Sequence, residues 1–114
     1  MDIVFANAKL RKQLNEAKAM IRAHGPERAR KLKLIMVSLR GMPHLGVLAP
    51  PYSPPHRCHE LKGNRKGKLS LDLDGPYRLI IEAANNPLPQ LPDGGLDWAK
   101  VTAIRICSVE DTHG

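Results

Sequence analysis

Apolar positions along the first forty residues follow two different periods. Asp2-Ile3-Val4-Phe5 is a short apolar run that predicts a first strand. Asn7 follows and suits a helix N-cap, because its side chain can accept a hydrogen bond from the first turn. From there Leu10, Leu14, Ala17 and Ile21 repeat at helical spacing, with Lys9, Arg11, Lys12, Lys18 and Arg22 largely on other faces. Gly25-Pro26 predicts a stop and a restart, glycine fitting the position after one helix and proline the first turn of the next. In the second helix Ala29, Leu32, Ile35, Met36 and Leu39 share one side, while Arg28, Arg30, Lys31 and Lys33 lie elsewhere. The expectation is a basic helical hairpin with an apolar seam.

The pattern then breaks. Pro43, Pro50, Pro51, Pro54 and Pro55 crowd residues 42–57, which excludes a helix interior or a central strand and predicts a connector. Beyond it the period becomes strand-like, with Leu69, Leu71 and Leu73 alternating with Ser70, Asp72 and Asp74. Asp74-Gly75-Pro76 is a turn, so Tyr77 to Glu82 is expected to return as the second strand of a hairpin. Residues 85–98 form another Pro/Gly-rich loop. Val101 to Val109 is the last strand. Its alternation predicts Val101, Ala103, Arg105, Cys107 and Val109 on one face and Thr102, Ile104, Ile106 and Ser108 on the other. Strand, helix, helix and then three or four strands make an α+β fold. An N-terminal strand and helical hairpin are expected to pack on a mostly antiparallel sheet of 4–5 strands.

Length and composition narrow this picture. A chain of 114 residues is expected to form a single domain, 1–114, with one modest core and little room for an enclosed cavity. Hydrophobic content of 42% and charged content of 25% argue for a packed chain and against disorder. No apolar run approaches the ~20 residues of a membrane span, and no secretory stretch opens the chain, so a cytoplasmic location away from membranes is expected. Cys58 and Cys107 are expected to be reduced and packed as small apolar residues. His56, Cys58 and His59 lie close together, but no second ligand pair follows at a zinc-site spacing, so no metal is expected.

Charge adds a direction. The net charge of +7 runs as +7 over residues 1–40, +3 over 41–80 and −3 over 81–114. Such a basic surface is the footprint of a polyphosphate partner, since neutralised phosphates release condensed counterions. The same cations could also serve only to solubilise helix surfaces. The densest patch runs from His59 to Lys68, where His59, Lys62, Arg65, Lys66 and Lys68 are interrupted by Gly63 and Gly67. The predicted hairpin brings Arg78 back beside it, and His113 stands at the end of the last strand. A histidine, one or two lysines, an arginine and a terminal histidine are thereby expected on one sheet face.

His59-Glu60-Leu61-Lys62-Gly63, then Gly67, Ser70, the turn at 74–76, Tyr77-Arg78-Leu79 and the ending Glu110-Asp111-Thr112-His113 resemble the HigB-type branch of the RelE/ParE toxin superfamily. This branch is the plasmid maintenance system killer family, and the resemblance covers nearly the whole chain. It implies a RelE/ParE-like fold and the toxin of a type II toxin–antitoxin pair. Such a toxin cleaves mRNA in the ribosomal A site, uses no metal or cofactor, and is neutralised by a helix-turn-helix, HigA-like antitoxin. In RNA cleavage of this kind the substrate's own 2′-hydroxyl attacks the adjacent phosphate. The protein removes that proton, stabilises the phosphorane and assists the leaving oxygen. By position, His59 and Lys62 match the family's basic pair, Arg78 its phosphate-stabilising arginine and His113 its terminal catalytic histidine. Arg65, Lys66 and Lys68, with Lys9, Lys12, Arg30 and Lys33 on the helices, are the expected RNA contacts.

The side-chain chemistry agrees with those roles. An arginine fork suits a phosphate, a lysine adds a point charge, and an imidazole titrates near pH ~6.5. One departure matters. Thr112 stands where the branch commonly has tyrosine, so a stacking ring would have to come from Tyr77, Tyr52 or Trp98. Two other readings remain open on the residues: a ParE-like toxin that binds DNA gyrase without cutting RNA, and a basic RNA-binding module with no chemistry.

Overall fold

The structure is a computed structural model and describes residues 1–111. Asn7 caps the first helix as its sequence predicts, its Oδ1 accepting a hydrogen bond from the Leu10 N–H at 2.8 Å. The helix it starts is not continuous, however. Glu16 takes an extended conformation (φ −107°, ψ 121°) and serves as C-cap of α1 (Ala8–Asn15) and N-cap of α2 (Ala17–His24). One non-helical residue resets the 3.6-residue phase. Leu10 and Leu14 stay buried, but Met20 enters the core in place of Ile21, which is 49% exposed, and Ala17 is exposed too. The expected helical pair is therefore three helices. In α3 (Pro26–Gly41) the predicted seam holds, with Ala29, Leu32, Ile35, Met36 and Leu39 all buried.

The strands form one sheet in the order β1-β5-β4-β3-β2. These are β1 (Asp2–Phe5), β2 (His59–Glu60), β3 (Lys68–Asp72), β4 (Tyr77–Ala83) and β5 (Ala103–Asp111). β1 runs parallel to β5, and every other neighbouring pair is antiparallel. The helices cover one face, where Leu69, Leu71, Leu79, Ile81, Ile104 and Ile106 join Leu14, Leu32, Met36 and Leu39 in a single core. Each fully buried side chain of this kind contributes about 1.5–3 kcal/mol of transfer free energy. This is the expected α+β architecture. No helix is long and apolar enough to cross a membrane among the described residues.

Two local features decide what the helix-free face carries. At Gly75 (φ 51°) the chain turns between β3 and β4, a left-handed position that glycine adopts without steric cost. Arg28 of α3 braces this turn: its Nε and Nη2 donate to Asp74 at 2.9 and 3.2 Å, and its guanidinium lies 3.4 Å from the Tyr77 ring centroid. In β5 a bulge inserts Cys107, so that Ile81 pairs with Ile106 but Ile80 pairs with Ser108. The bulge reverses the predicted alternation beyond it. Ser108 moves to the helix-free face and Val109 packs toward the core. The proline-rich connector is tied down from within, Leu45 and Leu48 being buried and the Leu45 N–H donating to the Val101 carbonyl at 3.0 Å.

Candidate functional site

On the helix-free face, sheet register aligns His59, Ser70, Ile80 and Ser108 in one row across four strands. The next row toward the hairpin turn is Asp72, Arg78 and Glu110, and the row on the other side is Lys68, Glu82 and Arg105. The connector folds over the β2 edge and adds Tyr52 and Arg57. Together Tyr52, Arg57, His59, Ser70, Asp72 and Arg78 line an open cleft of about 500 Å³.

Four side chains in this cleft, Arg57, His59, Asp72 and Arg78, are oriented by partners. Arg78 pairs through Nε with Asp72 Oδ1 at 3.1 Å, and its Nη1 donates to the Gly75 and Tyr77 carbonyls at 2.7 and 2.8 Å. Asp72 Oδ2 lies 3.4 Å from Arg57 Nε, so a single carboxylate stands between two guanidiniums. His59 places Nδ1 3.1 Å from the Arg57 carbonyl oxygen, and its ring stacks on Tyr52 with centroids 4.4 Å apart and planes 13° from parallel. The loop that delivers these groups is strained. Tyr52 (φ 69°) and Arg57 (φ 51°) both occupy the left-handed region, which costs a non-glycine residue about 1–2 kcal/mol. Two loop hydrogen bonds hold the strain in place, from the Tyr52 N–H to the Cys58 carbonyl at 2.9 Å and from the Arg57 N–H to the Ser53 carbonyl at 2.8 Å. Two planar cationic forks, an imidazole and an aromatic face in one open cleft can bind a phosphate, stack a base and move a proton.

His59 and Arg78, both expected at the site, meet in this cleft. Lys62 is exposed just outside its lining, at the start of a 3₁₀ turn (Gly63–Arg65), and makes no ion pair among the described residues. His113 lies outside the described residues, while β5 carries the chain as far as Asp111, which pairs with Tyr77 beside Arg78. Among the expected RNA contacts, Arg65 forms a two-point pair with Glu110 at 2.8 and 2.6 Å. That pair, together with a hydrogen bond from Ser108, holds the Glu110 carboxyl below the usual carboxylate range. Lys68 lies 3.7 Å from Glu82 and 3.6 Å from the Cys107 sulfur, and Lys66 is exposed. Lys9, Lys12, Arg30 and Lys33 are exposed on the helices, across the sheet from the cleft, with Arg30 2.7 Å from Glu27.

Packing separates the three aromatic rings named from the sequence. Tyr77 lies under Arg28, and Trp98 is buried with its Nε1 donating to Glu60 at 3.4 Å. Tyr52 is 54% exposed and lines the cleft. Arg57 escapes sequence reasoning altogether, because a loop residue between prolines and a cysteine carries no periodic signal. Among the described residues no group of three or more His, Cys, Asp or Glu could hold a metal ion. Burial pushes the Cys58 thiol up to about 12, with the Glu60 charge adding to the shift, so it packs as an inert side chain.

No protein-family model matches the chain, and no curated protein matches it in sequence. In fold it is similar to the YoeB/ParE toxin from Agrobacterium tumefaciens, with a TM-score of 0.57 at 9% identity. The match covers 97% of this chain and 98% of that one, so the shared architecture extends over nearly the full length of both. At this identity the likeness is one of fold alone: helices packed on one face of a five-stranded, mostly antiparallel sheet.

Proposed function

We propose that the chain is the toxin of a type II toxin–antitoxin pair and acts as a metal-independent endoribonuclease on mRNA held by the 70S ribosome. The observation that carries this reading is the meeting of His59 and Arg78 in one open cleft, on the helix-free face of a YoeB/ParE-type fold. An enclosed pocket is not required, since the ribosome holds the substrate and the protein need only present a cationic, proton-exchanging face.

In the proposed reaction the 2′-hydroxyl oxygen attacks the neighbouring phosphorus and gives up its proton. The P–O5′ bond breaks as the 5′-oxygen takes one, leaving a 2′,3′-cyclic phosphate and a 5′-hydroxyl. His113 and His59 are the groups that take and return protons, each positioned acid or base contributing roughly 10²–10⁴-fold. Arg78, held through Nε and Nη1, offers its fixed charge and Nη2 to the phosphorane oxygens and Lys62 adds a mobile charge, a role whose loss costs roughly 10²–10³-fold. Lys9, Lys12, Arg30 and Lys33 on the helices, with Arg65, Lys66 and Lys68 on the patch, serve ribosomal RNA and mRNA phosphates. The partner that silences the toxin is a helix-turn-helix, HigA-like antitoxin.

The test is expression in bacteria with mRNA 5′ ends mapped for wild type, Arg78→Ala and His113→Ala. Growth arrest with new codon-phased ends, abolished in both variants, is the expected result. Arrest without new ends would overturn the ribonuclease reading in favour of gyrase binding. Cutting that survives both substitutions would overturn the residue roles.

A further inference from the structure

We propose that the connector loop supplies the base-binding half of the cleft: the Tyr52 ring is a platform for one RNA base, and Arg57 binds the phosphate next to it. This rests on the ribonuclease reading, assigns to Tyr52 the ring that the resemblance left open among three residues, and adds Arg57, to which neither the sequence motifs nor the fold likeness gives a role. Three observations carry it. Tyr52 is the exposed aromatic residue of the cleft, and His59 backs its ring at 4.4 Å, which fixes the ring plane before any base arrives. A preset ring loses little conformational freedom on stacking, and stacking is open to every base.

The second observation concerns Arg57. Its side chain is 57% exposed, its pair with Asp72 is long at 3.4 Å, and its guanidinium carbon stands 5.8 Å from the Tyr52 ring centroid. Arg78, by contrast, is fixed by Asp72 and two carbonyls. A phosphate offers the same pair of oxygens as the Asp72 carboxylate, so Arg57 can exchange one for the other while Arg78 stays in place. The third observation is backbone strain at the two residues concerned, Tyr52 and Arg57, held by hydrogen bonds within the loop. Strain retained at the residues that face an open cleft is the pattern of a site shaped for a ligand.

The left-handed backbone also gives a clean test, because glycine at position 52 removes the ring and relieves the strain together. The probe is a fluorescently labelled hexaribonucleotide, 2′-O-methylated at every sugar so that it cannot be cut, with a second version lacking one central base. Binding is read by anisotropy for wild type, Tyr52→Phe, Tyr52→Gly and Arg57→Gln, with thermal melts confirming that each variant is folded. Wild type and Tyr52→Phe are expected to favour the intact oligonucleotide by about tenfold. Tyr52→Gly should bind both versions equally weakly, and Arg57→Gln should weaken both by a similar factor. Equal binding of the intact strand by Tyr52→Gly and wild type, or no binding by wild type, would overturn the proposal. The cellular cleavage assay is scored separately: a protein that binds through Tyr52 yet cuts nothing supports this subsite and sinks only the ribonuclease reading.

Discussion

Asp72 holds Arg78 by a 3.1 Å ion pair through one carboxylate oxygen and stands 3.4 Å from Arg57 through the other. The carboxylate spaces the two cationic forks and also places a negative charge where an incoming phosphate must approach. Removing the charge while keeping the shape separates these effects. Asp72→Asn is expected to bind the uncleavable oligonucleotide severalfold more tightly and with a steeper loss of affinity between about 50 and 200 mM salt. Anisotropy titrations across that range check it. Affinity and slope equal to wild type would show that RNA does not sense the Asp72 charge.

Arg28 is remote from the cleft but determines where β4 begins. Its fork on Asp74 and its stacking on Tyr77 brace the turn whose Gly75 and Tyr77 carbonyls receive Arg78. A lysine at this position keeps the charge but loses both the two-point geometry and the planar stack. Arg28→Lys is therefore expected to cost about 1–2 kcal/mol of stability, read from urea unfolding midpoints at constant slope. Cleavage should fall as well, at temperatures where the variant is still fully folded. Full activity in a destabilised variant would confine the brace to a purely structural role.

Much of the fold was legible because periodic burial is written residue by residue. The seam from Ala29 to Leu39, the Leu69–Leu71 alternation and the Asp74-Gly75-Pro76 turn each carry a local signal that packing then obeys. The failures come where one residue breaks the period without a glycine or proline to announce it. Glu16 turns extended and exchanges Ile21 for Met20 in the core, and Cys107 bulges and reverses Ser108 and Val109. The site divides the same way. His59 on β2 and Arg78 on β4 flank β3 on either side, so the predicted hairpin brought Arg78 back toward the patch that begins at His59. Tyr52 and Arg57 arrive through a loop whose path depends on left-handed residues and on hydrogen bonds that no pattern of apolar positions encodes.

Acid should destabilise the fold in two separate steps. Burial, and then the Arg28 charge, hold His24 below the ordinary imidazole range, and its Nε2 is buried without a hydrogen-bond partner among the described residues. Burial alone does the same for His56. The Arg28 hydrogen bonds lower Asp74, and those from Arg65 lower Glu110. All four groups bind protons more weakly folded than unfolded, so across each window the unfolded state takes up more protons and stability rises with pH. The histidine contribution is complete above pH ~6.5 and is lost as pH falls below it, and the carboxylate contribution is lost below about pH 4. The melting temperature is therefore expected to be level near pH 7–8, to decline toward pH ~5.5 and to drop again below about pH 4. Circular dichroism melts of wild type and of the double variant His24→Gln, His56→Gln separate the steps. The variant should lose the first decline and keep the second. Parallel curves for the two proteins between about pH 7 and 5.5 would show that neither histidine governs the first step.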